Sequence, residues 1–214
     1  MRSAFENKFA SIISKKNSKL YTSTKTKISF YLLFSIGFFL GIAAFVLAPQ
    51  DSSITDTAHI QKHLGLTFTS CDSVSDYFIE TLKMSETDLS HIFFIFISGF
   101  TYFCFAVAGI IIFAKGFMFG FSILYLFEIK EYLASLQITS FIWIFILLKF
   151  IICSIAVMLA SETYMFSYEF RSIKQNLSVL KRAPVTYKFI FIFARTIGVS
   201  LIVNFIYCLA ITLL

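Results

Sequence analysis

The 23 residues His91–Phe113, HIFFIFISGFTYFCFAVAGIIIF, contain no Asp, Glu, Lys or Arg. About 20 apolar residues rising 1.5 Å each are enough to cross the hydrocarbon core of a bilayer. Lys115 and Gly116 interrupt the run, and a second apolar stretch follows at once, meeting Glu128-Ile129-Lys130-Glu131. The pattern predicts two membrane helices joined by a tight hairpin at Lys115-Gly116, and so a chain that crosses the membrane several times.

Composition agrees. Only 14% of the 214 residues are charged and 58% are hydrophobic, whereas soluble domains carry roughly 25% charged residues. Twenty-nine phenylalanines against two prolines suit long helices in lipid. The expected fold is an all-α polytopic bundle: a basic tail over 1–27 and one membrane domain over 28–214. Five spans are predicted, at about 28–48, 91–113, 117–136, 138–160 and 189–214. Cys104, Cys153 and Cys208 fall inside apolar runs, where a thiol acts as a small hydrophobe. With Cys71 alone in a polar stretch and no CxxC, neither a disulfide framework nor a metal site is expected.

Charge sets the orientation, because Lys and Arg collect in short cytoplasmic segments. Residues 1–27 carry seven (Arg2, Lys8, Lys15, Lys16, Lys19, Lys25, Lys27) and one acid, Glu6. With Phe5, Phe9, Ile12 and Ile13 at helical spacing, this tail either lies on an anionic inner leaflet or simply fixes orientation. Lipid head groups account for its charge, so no nucleic acid is implied, and no cleaved leader is expected. Residues 50–90 hold seven acids against Lys62 and Lys83, net −5, which fits an outer loop, 49–90. Part of it is expected to form a short surface helix, with Val74, Tyr77, Phe78 and Leu82 on one face. Asp56, His59 and His63 could suggest a metal, but without HExxH they read as solvent residues. Residues 161–188 carry five basic groups against Glu162 and Glu169, which fits an inner loop. The N-terminus is then inside and the C-terminus outside the cell membrane.

Within the spans, Gly37-xxx-Gly41 allows close approach of another helix, by internal packing or by self-association. Trp143 suits an interface, and Arg195 can snorkel from the last span. The third span is short unless it runs on through Glu128 and Glu131 to about Leu136; a re-entrant or broken helix is the other option. In the long form, Glu128 and Lys149 each lie about 16 Å deep, 11 residues from their helix ends. They could pair near the midplane, with Glu131 as substitute. Three readings stay open: a structural ion pair, a Lys149 that alone faces a cavity, or a substrate or proton path.

The order of a basic start, an acidic outer loop and then Phe113-Ala-Lys-Gly-Phe-Met-Phe-Gly-Phe121 resembles the stage II sporulation protein M family, with its Lys-Gly-x-x-x-Gly turn between spans. The resemblance implies a structural role for Lys115, Gly116 and Gly120. It also implies a non-catalytic membrane anchor in forespore engulfment, recruiting peptidoglycan-degrading enzymes. Protein partners, cell-wall hydrolases or other membrane subunits, would then bind through loop 49–90. The alternative is a transporter or permease subunit with a midplane Glu/Lys site, completed by oligomerisation if needed. No enzyme is expected. GxSxG, GxxxxGK[ST] and HExxH are absent, and nothing pairs a nucleophile with a base among Ser98, Thr101, Tyr102, Ser154 and Asn204. No cofactor is implied.

Overall fold

The computed structural model describes residues 2–47, 74–132, 136–175 and 182–213, with side chains described over 23–47, 76–127, 142–171 and 185–210. Among these residues the chain is all-helical: α1 (Arg2–Leu47), α2 (Val74–Ser98), α3 (Cys104–Tyr132), α4 (Leu136–Gln175) and α5 (Arg182–Leu213). Four of the helices contain segments long and apolar enough to cross a membrane: Ser23–Leu47, Cys104–Phe127, Ile142–Arg171 and Val185–Ala210. Their outer faces carry Leu32, Phe39, Ile110, Leu147, Phe191 and Ile202, all exposed. So much open apolar surface is unfavourable in water and ordinary in lipid. The protein is a membrane-embedded helical bundle.

The hairpin lies elsewhere than the sequence predicts. Helix α3 runs unbroken through Lys115-Gly116, and the chain reverses at residues 99–103 instead. Short backbone bonds close that turn: Gly99 N–H to Phe96 C=O (3.1 Å), Phe100 to Ile97 (3.1 Å) and Thr101 to Ser98 (2.9 Å). Arg171 then clamps it, donating to the Thr101 carbonyl and to Ser167 Oγ and lying 4.6 Å over the Tyr102 ring. The predicted span 91–113 is therefore the end of α2 plus the start of α3. The third helix is neither short nor re-entrant: α3 has 29 residues.

Facing residues give the directions. Along α1 and α3 the partners rise together, Phe30 with Phe105 and Phe45 with Phe121, so these helices are parallel. Phe166 stacks on Phe189 and Phe145 meets Tyr207, so α4 and α5 are antiparallel. Cys208 Sγ approaches the Tyr77 carbonyl while Phe96 stacks on Phe193, so α2 is antiparallel to α5 and parallel to α4. One end of the bundle gathers Phe30, the 99–103 turn, Arg171 and Phe189; the other gathers Phe45, Tyr77, Tyr125, Ile142 and Tyr207. Helix α4 packs against all four others.

The α1–α3 seam is the tightest. A Cβ on Gly37 or Gly41 would strike the carbonyl oxygens of Phe113 or Phe117; one on Gly116 or Gly120 would strike those of Phe34 or Phe38. Two small-xxx-small stripes thus interlock backbone against backbone, the close approach that membrane helices use where lipid removes the hydrophobic drive between them. Gly116 is a packing residue and not a turn residue, which is why a glycine interrupts this helix without ending it. At the end near the 99–103 turn, stacked rings from α2, α4 and α5 close the core: Phe96 on Phe193 and Phe166 on Phe189, each at 4.0 Å between centroids.

Candidate intramembrane ion site

Helix α2 buries polar side chains in its first half and Ile92 and Ile95 in its second. Its buried polar stripe is Thr81, Ser85 and Asp88, spaced i, i+4, i+7, while Phe78, Ile79, Leu82, Phe93 and Phe94 are exposed. Thr81 and Ser85 hydroxyls donate to the carbonyls one turn back, Tyr77 and Thr81, at 2.7 Å each. Only Asp88 then needs partners from other helices.

Those partners are two lysines. Lys115 Nζ on α3 donates to Asp88 Oδ1 at 2.5 Å, and Lys149 Nζ on α4 donates to Asp88 Oδ2 at 3.3 Å. Asn204 Nδ2 on α5 reaches Oδ2 at 3.5 Å and the Ser200 carbonyl at 3.1 Å. Exposure is 4% for Asp88, 7% for Lys115 and 9% for Lys149. Asp88 stands ten residues before the end of α2 and Lys115 eleven after the start of α3, so the pair lies about 15 Å from the turn at 99–103. That is about half the thickness of a hydrocarbon core. An isolated charge at this depth costs a few kcal/mol or more; here one carboxylate and two ammoniums neutralise one another in part.

The cluster forms the floor of a cavity of about 540 Å³ between α2, α3 and α4. Met118, Phe119, Phe145 and Ile152 supply apolar wall, and Thr87, Ser90, His91 and Ser122 supply polar wall. At the rim stand Lys83, ion-paired with Glu80 at 2.5 Å, and exposed Glu86. His91 Nδ1, Ser200 Oγ and Asn204 Oδ1 are buried without a hydrogen-bond partner among the described residues.

The predicted site residues divide sharply. Lys149 is in a buried ion pair, and among the described residues its carboxylate is Asp88; the side chains of Glu128 and Glu131 lie outside the described residues. Lys115, expected at a cytoplasmic turn, is instead the closer partner of Asp88. Gly116 and Gly120 face α1 and take no part in the cavity. Asp88 was missed because it was counted with the acids of the outer loop. The signal is the spacing: Thr81, Ser85 and Asp88 share one helical face, and Phe78, Ile79 and Leu82 lie off it. Asp56, His59, His63 and Cys71 lie outside the described residues, and no cluster of metal-ligating side chains occurs among those described. No protein-family description, no characterised protein and no solved structure matches this chain.

Proposed function

We propose that this chain is a transport or permease subunit of the cell membrane that binds a small polar solute in the α2–α3–α4 cavity. One observation carries the reading: an Asp–Lys–Lys cluster at mid-bilayer depth opens onto a cavity large enough for a small molecule. Ionisable groups inside membrane bundles mark solute or ion pathways by default, because their desolvation is otherwise unfavourable. A purely structural ion pair needs no cavity beside it.

The packing of α2 inside the bundle, with Asp88 against α3 and α4, supports its being a fifth crossing, although its first half is too polar to qualify by hydropathy. Its exposed side carries Phe78, Ile79, Leu82, Phe93, Phe94 and Ile97, residues that lipid can cover, with Lys83, Glu86 and Thr87 confined to the half at the cavity mouth. With the basic segments at the end that holds the 99–103 turn, the N-terminus is inside, the C-terminus outside and the cavity mouth near Lys83 toward the outer half. A reporter after Thr212 that is active only in the cell interior would remove α2 as a crossing.

Cysteine accessibility tests the function. In a variant without native cysteines, Thr87→Cys at the mouth and Ser122→Cys on the buried wall should react with a small impermeant thiol reagent in intact cells. Phe39→Cys on the lipid face should not. If both cavity positions stay unreactive from either side of the membrane, the cluster is a sealed structural lock and the transport reading fails.

The scaffold role that the sporulation-family resemblance implies remains the second reading. Its support is the exposed apolar set Phe78, Ile79 and Leu82 beside acidic Asp76 and Glu86 on α2, a surface that a membrane partner could cover. Pull-down from mild detergent, comparing the parent with a Phe78→Ser, Ile79→Ser, Leu82→Ser variant that leaves buried Thr81, Ser85 and Asp88 in place, separates the two: loss of a captured membrane partner supports the scaffold, and no partner in either sample removes it.

A further inference from the structure

We propose that the solute of this cavity is an amphiphilic anion: a carboxylate or phosphate head seated on Lys149 and Lys115, with an apolar part against Met118, Phe119 and Phe145. The proposal rests on the binding role above and adds the sign and shape of the ligand.

The charge count supplies the sign. Two buried ammoniums converge on one buried carboxylate, leaving one excess positive charge among the described residues of the floor. Among the described lining residues the other acid is Glu86, which is exposed at the rim, and rim Lys83 already holds Glu80. A second anion therefore belongs at the floor, where low dielectric makes it far more effective than in water. The donors point the same way. Two ammoniums offer six N–H groups; among the described residues Lys149 makes a long bond, 3.3 Å to an oxygen that Asn204 also approaches, and its ammonium stands 6.0 Å from the centroid of the Tyr207 ring. Lys149 is thus the group able to turn from Asp88 to an incoming head, while Lys115 keeps its 2.5 Å bond.

The cavity supplies the shape. About 540 Å³ is far more than a bare halide or phosphate fills. Rings and a thioether wall the space beyond the head, so an aliphatic portion is held there by burial. A membrane-derived acyl or phosphate lipid and a soluble organic acid share this chemistry.

The test uses the full-length protein in maltoside detergent. Octanoate, octyl phosphate, octylammonium, octanol and inorganic phosphate are compared by their effect on the thermal unfolding midpoint. Octanoate and octyl phosphate should raise it by about 5 °C at saturating excess, as expected for a ligand that binds the folded state. Octylammonium and octanol should not. Inorganic phosphate alone should give a smaller rise. Lys149→Met and Lys149→Gln should abolish the shift and Lys149→Arg should retain part of it. Met118→Trp, which fills the apolar wall and leaves every charge in place, should abolish it too. Equal shifts with octylammonium, or a shift that survives in Lys149→Met and Met118→Trp, overturn the proposal. Native mass spectrometry of untreated protein separates the sources. One anionic lipid per chain, lost in Lys149→Met, assigns a membrane ligand; octanoate binding without copurified lipid assigns a soluble one. If Thr87→Cys and Ser122→Cys are reactive and no anion binds, the sign assignment alone fails; if they are sealed, the transport reading fails with it.

Discussion

Helix α3 has two flanks that solve the membrane problem in opposite ways. Gly116 and Gly120 meet α1 backbone to backbone, dry and without a polar side chain between them. Lys115, one residue earlier and about 100° around the helix, meets Asp88 and Lys149 across a cavity. The first flank gains stability from close contact alone. The second holds charges that lipid cannot solvate and leaves space beside them. Adjacent residues thus serve stability and binding separately, and a change to one flank need not disturb the other.

The largest break should come at the glycine seam. Gly116→Leu or Gly37→Leu pushes side-chain atoms into backbone carbonyls of the facing helix. Carbonyls of a packed helix cannot swing away, so the loss should be at least the upper end of the overpacking range, about 3 kcal/mol. The monodisperse fraction by size exclusion in mild detergent would collapse. Normal yield of either variant would mean that α1 and α3 are not held by this seam.

Next in size is the ion cluster. Asp88→Ala leaves two buried ammoniums without a carboxylate and should cost about 3–5 kcal/mol, as when one member of a buried pair is removed. Lys115→Met should cost less than this, since Lys149 stays near Asp88. Asp88→Asn combined with Lys115→Met should recover part of the combined single losses, measured as thermal stability in detergent. Strict additivity would show that the two groups do not interact.

Lys149→Met sharpens the contrast further. Its contact is longer and shared, and its removal lowers the excess positive charge. Stability should stay within about 1 kcal/mol of the parent while ligand-dependent stabilisation disappears. The smallest effect belongs to Gly198 on α5, where an added Cβ meets nothing within 4 Å. Gly198→Ala should be neutral or stabilising by up to about 1 kcal/mol through helix propensity. A loss as large as that of Gly37→Leu would place an unseen neighbour on α5.

Apolar run length identified helices from residues 28, 138 and 189 onward because one helix crossing lipid must satisfy its backbone alone, a local property. The same rule misplaced the hairpin. Lys115-Gly116 has the composition of a turn, and neither residue's neighbour in space is visible in the linear order. Gly37-xxx-Gly41 was legible as a packing stripe, but its counterpart in Gly116-xxx-Gly120 was not. Lys149 stood out as a charge inside an apolar span. Asp88 did not, because it follows six other acids in a stretch whose average is that of a loop.

Sequence by itself determined that this chain is helical, lies in a membrane and carries a lysine within an apolar span; each follows from short-range composition and the thickness of the bilayer. The tertiary structure alone decided that Asp88 pairs with Lys115 and Lys149, that four glycines lock α1 to α3, and that a cavity lies beside the charges. Those outcomes depend on contacts between residues from 27 positions apart, Asp88 with Lys115, to 116 apart, Asp88 with Asn204. Charge pairing and backbone contact are set by position in space, and hydrophobicity along the chain carries no record of it.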